Sequence, residues 1–172
     1  MIATTLAPRR VAPGAGEMYH VLGDRVTFKA LAAETGGAYS LFELHTAPGG
    51  GSAPHIQRQE DEAFFVLEGL YSALIGEERV ELGPGSYVFV PRGTVHALTN
   101  IGHTTARMLS MITPGGNFER FLAEIGERID NPITFSPGLP ISETRLALAA
   151  AEYGVEFYTD NVAGFGCGPV AA

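Results

Sequence analysis

The tightest constraint on this chain is how often it must turn. Between residues 17 and 113, short runs of aliphatic, aromatic and β-branched residues are broken at roughly ten-residue intervals by glycine or proline. The runs include EAFFVLEG, LYSALIG, RVEL, SYVFV, VHALTN and ARMLSMIT. The breaks fall at Gly69, Gly76-Glu77, Gly83-Pro84-Gly85, Pro91-Arg92-Gly93 and Gly102. Runs this short suit strands better than helices, and strands at this spacing predict a closed antiparallel barrel or jelly roll. Twenty-two glycines, eleven prolines and no tryptophan fit a chain built of turns.

The pattern extends upstream. MYHVL and RVTFKAL flank Gly23-Asp24, a hairpin signal, and Thr35-Gly36-Gly37 marks the next turn. AYSLFELHT then reads as a strand stopped by Pro48 and three glycines. Residues 1–16, with Pro8 and Pro13, are expected to be a loose arm, and residues 17–113 the barrel.

After Pro114-Gly115-Gly116 the period changes. Phe118, Phe121, Leu122, Ile125 and Ile129 recur at helical spacing, with Asn117 as a cap and Arg120–Glu124 and Glu124–Arg128 placed for ion pairs. A proline-rich linker, NPITFSPGLP, leads to a second helix capped by Ser142. Its stripe is Leu146, Ala149, Ala150 and Tyr153, and Gly154 ends it. Both helices, within residues 114–160, are expected on the outside of the barrel, with 161–172 a tail.

Charge narrows the partners. A net charge of -8 with scattered cations argues against nucleic acid, whose phosphates need a basic stripe. No apolar stretch approaches the ~18 residues of a membrane span, and the N-terminus lacks a secretory pattern. The single cysteine, Cys167, allows no internal disulfide, so a cytoplasmic location is expected.

Chemistry concentrates in GGGSAPHIQRQEDEAFFVLEG, residues 49–69, and GSYVFVPRGTVHALTN, residues 85–100. His55 and Gln57 are two apart on an extended segment and leave the same face. A turn through Arg58–Asp61 can return Glu62 to that face, and His96 can approach from a neighbouring strand. Two imidazoles and a carboxylate suit non-haem iron(II), with Mn, Co, Ni or Zn tolerable. Phe42, Phe64, Val66 and Tyr71 are candidate walls of an apolar pocket. His45 is an edge residue or a proton relay, and Glu60 and Asp61 are expected to be solvated turn residues.

The spacings carry a resemblance. Gly49, His55, Glu62 and Gly69 match the first motif of the cupin superfamily, with Gln57 where that motif has its second histidine. Gly85, Pro91, Gly93, His96 and Asn100 match every fixed position of the second motif. Over roughly residues 17–160 the chain resembles single-domain cupins of the quercetin dioxygenase-like group. The resemblance implies an all-β double-stranded β-helix barrel with two C-terminal helices, and a homodimer in which the arm is a candidate for exchange. It implies a divalent metal held by His55, Glu62 and His96, with Gln57 either a weak fourth ligand or the mark of a site that has lost its metal. Glu62, His96 and Gln57 become the candidate catalytic residues. The activity implied is a dioxygenase using O2 on a small enolisable aromatic or polyketide-like substrate, with Glu62 taking a hydroxyl proton. A non-oxidative cyclase or isomerase, and a binding cupin without turnover, are the alternatives.

Overall fold

The structure is a computed structural model that describes residues 6–130 and 141–158. Among the described residues, twelve strands and three helices follow one another. The strands are β1 (Glu17–Val21), β2 (Asp24–Ala30), β3 (Ser40–Thr46), β4 (Gly51–Gln57), β5 (Asp61–Glu68) and β6 (Tyr71–Ile75). They continue as β7 (Glu78–Leu82), β8 (Tyr87–Val90), β9 (His96–Asn100), β10 (Ala106–Thr113), β11 (Glu127–Arg128) and β12 (Val155–Phe157). The helices are α1 (Ala32–Thr35), α2 (Asn117–Ile125) and α3 (Glu143–Tyr153).

Two antiparallel sheets face each other. One runs β11-β1-β2-β3-β10-β5-β8 and the other β12-β4-β9-β6-β7. From β3 onward the chain passes repeatedly from sheet to sheet, and this jelly-roll path brings sequence-distant strands together. The expectation of an all-β double-stranded barrel with C-terminal helices holds.

Alternation decides which side chains point inward. Along β10, Ala106, Met108, Ser110 and Ile112 are buried; along β3, Ser40, Phe42 and Thr46 are. The interior has two apolar clusters. One joins β1–β3 to α2 and α3 through Val26, Phe28, Phe42, Phe121 and Ala150. The other packs Phe64, Val66, Ala73, Val90, Leu98 and Met108 between the sheets. The sheets close tightly where β4 meets β9. A Cβ on Gly51 would lie 1.8 Å from the Leu98 carbonyl oxygen, so only glycine fits there.

Several local expectations are corrected. The first hairpin turns on Leu22-Gly23, with φ of 50° and 97°, and Asp24 opens β2 instead of sitting in the turn. The Thr35-Gly36-Gly37 turn closes a single helical turn, α1, at Gly36. Asn117 is the first residue of α2, not its cap, and its amide donates to the Tyr153 carbonyl. Ile129 lies past the end of α2, where its N–H bonds the Met18 carbonyl. Arg120 reaches the Gly116 carbonyl and Arg128 pairs with Asp130, instead of either pairing with Glu124. Ser142 caps α3 by accepting the Arg145 N–H, and Gly154 ends that helix in the left-handed region, as the sequence suggests. The NPITFSPGLP linker, Cys167 and the tail lie outside the described residues.

Candidate metal centre

The centre is assembled from both sheets. β4 and β9 pair so that His55 stands directly opposite His96, with ring centroids 4.3 Å apart. Glu62 arrives from β5 of the facing sheet, where it pairs with Ile112 and Val90. One ligand atom from each of His55, Glu62 and His96 falls within 4.8 Å of the others, and all three residues are buried. Donors sharing one cation at about 2.0–2.2 Å lie at most ~4.4 Å apart. The side chains therefore need only a small closure to grip an ion.

Each group is already oriented. The Nδ1 of His55 lies 2.9 Å from the Ala53 carbonyl, and that of His96 lies 3.0 Å from the Thr94 carbonyl. A carbonyl can only accept, so both Nδ1 atoms carry a proton. Nε2 of His55 is left with a lone pair for the centre, and Nε2 of His96 would offer one on giving up the proton it donates to Glu62. Glu62 is fixed at both oxygens. Ser110 donates to Oε1 at 2.6 Å, Gln57 donates to Oε2 at 2.6 Å, and His96 Nε2 lies 3.2 Å from Oε2.

The electrostatics separate the imidazoles. Burial, helped by the proximity of His96, depresses His55 to about 4, so it is neutral at ordinary pH. Burial also works against charge on His96, but the Glu62 hydrogen bond and charge outweigh it and raise its pKa. This donor set, two imidazoles and a carboxylate, suits a divalent first-row cation.

Of the alternatives open for Gln57, the geometry is that of a hydrogen-bonding residue and not of a fourth ligand. Its amide nitrogen, not its oxygen, faces the centre, as it must beside a carboxylate, and nitrogen bearing protons cannot ligate. Its Oε1 is buried without a hydrogen-bond partner among the described residues. The side chain therefore meets the centre as a strut for Glu62.

A cavity of about 90 Å³ opens beside the centre and touches His55, Glu62 and Ser110. Its walls are largely apolar, with Phe42 and Phe64 among them, and Tyr71 also lines it. Val66, expected on the wall, packs instead between the sheets. The apolar face of α2, through Phe118, Phe121, Leu122 and Ile125, completes the enclosure. That helix is therefore part of the pocket, not an external brace.

Three site-shaping residues escaped the sequence. Ser110 could have been found as the one hydroxyl in the inward apolar stripe of ARMLSMIT. Glu60, expected in solvent, is 2% exposed and accepts the Phe118 N–H at the start of α2. Asp24 is buried on the cavity wall. Asp61 is held by a two-pronged pair with Arg92, which pins the turn leading into His96. His45 points away from the cavity, 3.6 Å from Glu43, so it is no relay for the centre.

Fold, spacing and sequence likeness agree on the class. Residues 42–112 match the family model described as the cupin domain, and the two facing sheets form a cupin fold. Among curated relatives, quercetin 2,3-dioxygenase of Bacillus subtilis is 28% identical over 99 residues, covering 58% of this chain and 29% of that protein. Germin-like protein subfamily T member 3 of Arabidopsis thaliana is 32% identical over 80 residues, covering 42% of this chain and 34% of that protein. The matches thus span about a third of each curated relative. Among solved structures, a sugar phosphate isomerase from a cupin superfamily of Silicibacter pomeroyi superposes with a TM-score of 0.53 at 18% identity. It covers 61% of this chain and 75% of its own, a likeness that bears on the fold alone.

Proposed function

We propose that the chain is a metal-dependent cupin oxygenase acting on a small, enolisable aromatic or polyketide-like substrate. The observation that carries this reading is the convergence of His55, Glu62 and His96 at one end of an apolar cavity. The likeness to a quercetin 2,3-dioxygenase supports the reaction class.

Iron is the first choice of cation, and when bound it would supply Lewis acidity toward a substrate oxygen. His55 and His96 would hold it through Nε2, their Nδ1 protons being committed to backbone carbonyls. Glu62 would share in holding it and accept the proton of the substrate hydroxyl, at an oxygen kept in place by Gln57. Ser110 fixes the second carboxylate oxygen and so sets the plane in which that proton is taken. Phe42, Phe64 and the α2 face exclude water from the reacting end.

A second reading is a non-oxidative cyclase or isomerase. It is favoured by the chain Gln57–Glu62–His96, which links two proton-transfer groups without an ion.

The test is metal analysis followed by oxygen uptake with a panel of enolisable hydroxyketones, flavonols included. The expected result is one cation per chain and oxygen consumed in step with substrate, with Glu62→Gln slower by about 100-fold or more. Gln57→His should raise metal occupancy, because an imidazole replaces an amide facing the centre. Substrate turnover without oxygen uptake selects the second reading. Failure to retain any of iron, manganese, cobalt, nickel or zinc overturns the metal assignment.

A further inference from the structure

The same cavity carries a second polar cluster, well separated from the metal centre. Asp24, Thr46 and Tyr71 all line it, and their exposures are 8%, 1% and 0%. The β2–β3 register places Asp24 opposite Thr46. In the β6–β9 register, Ile75 stands opposite His96 and Tyr71 opposite Asn100. Tyr71 is thus four residues along the ladder from the level of the centre, ~13 Å at the usual strand rise. Phe42, Leu44, Phe64, Leu98 and Met108 form apolar wall shared with this cavity.

The cluster does not satisfy itself. The Thr46 hydroxyl lies toward both the Asp24 carboxyl and the Tyr71 hydroxyl. Even so, Asp24 Oδ1 and the Tyr71 hydroxyl have no hydrogen-bond partner among the described residues. Buried polar atoms are nearly always paired, and two orphans in one cavity mark a place where something else completes the set. The turn leading into Asp24 is itself strained. Leu22 is the one non-glycine residue at positive φ among the described residues, and it too lines the cavity.

We propose that Asp24, Thr46 and Tyr71 form a distal recognition site that takes a neutral hydroxyl of the ligand, phenolic or alcoholic. One hydroxyl can accept from Tyr71 while donating to Asp24 Oδ1, which satisfies both orphans at once. With Asp24 ionised, a carboxylate can only accept and would leave Oδ1 unpaired, while an ammonium can only donate and would leave the Tyr71 proton without an acceptor. The inference rests on the proposed function in one respect, that the cavity is where substrate sits. It makes that substrate two-ended: an enolisable group at Glu62 and a hydroxyl at the opposite end of an apolar body.

The test needs neither turnover nor metal. Chelator-treated protein is titrated with phenol and with toluene, similar in shape but differing in the hydroxyl, and followed by ligand-observed NMR. Phenol is expected to bind at least about tenfold more tightly than toluene, the range of a hydrogen bond satisfying a buried group. Tyr71→Phe and Asp24→Asn should each cut that preference severalfold while leaving toluene binding as it was. Tyr71→Phe should change the melting temperature little, since the hydroxyl it removes has only the Thr46 hydroxyl toward it among the described residues. Equal binding of phenol and toluene, or a preference unchanged in both variants, overturns the proposal and means the cluster holds water only. Loss of oxygen uptake with this preference intact would instead fall on the oxygenase reading.

Discussion

Asp24 places a carboxyl in the barrel wall with only the Thr46 hydroxyl to ease it. Burial raises its pKa to about 7 against that hydroxyl's opposing effect. The folded state therefore binds a proton between about pH 4 and 7 that the unfolded chain has released. Stability from this group is full below pH 4 and falls as pH rises toward 7. Three units correspond to about 4 kcal/mol as an upper bound. Asp24→Asn should abolish that slope, stabilising the protein most at pH 8 and little at pH 4, as urea titrations across this range would show. His55 has the opposite sign. Its depressed pKa means stability is lost as pH falls below about 6.5, so the wild-type optimum reflects both groups.

At the scale of the element, α2 depends on a residue from the barrel. Gly116 at its N-cap has no side chain to offer, and Glu60 supplies the acceptor for the Phe118 N–H at 3.1 Å. Glu60→Ala leaves that N–H buried and unpaired at a cost of about 1–3 kcal/mol. Because the same helix face walls the cavity, thermal unfolding should shift down and phenol or toluene binding should weaken together. A fall in stability with ligand binding intact would show that the helix holds its place without this cap. The barrel strands and the spacing of His55, Glu62 and His96 were legible because turns and motif intervals are local. What these elements touch was not legible. The stripe of α2 announces a buried face without saying against what, and Glu60 and Asp24 sit beside turn residues whose chemistry reads as solvent-facing. Gln57 was visible as a substitution, but whether its nitrogen or its oxygen would face inward depends on where Glu62 arrives.

Across the whole molecule, the outer face of the seven-stranded sheet is unusually apolar. Tyr87 is 61% exposed and Phe89 49%, with Phe65 and Met111 beside them. Register makes these residues neighbours: Phe65 faces Tyr87, and Ala63 faces both Phe89 and Met111. A contiguous face of this kind would suit self-association about a two-fold axis, and we propose it as the seat of the expected homodimer. Sedimentation should give a dimer, and Tyr87→Glu combined with Phe89→Glu a folded monomer. A monomeric wild type would refute the placement.

The divided origin of the metal centre has a further consequence. His55 and His96 belong to one sheet, while Glu62 and Ser110 belong to the other. An ion held there would act as a rivet through both halves of the sandwich, so its grip reports how far apart the two halves stand. Substitutions that swell the packing between β5 and β9, remote from any reacting atom, would loosen the rivet as surely as removing one of its donors.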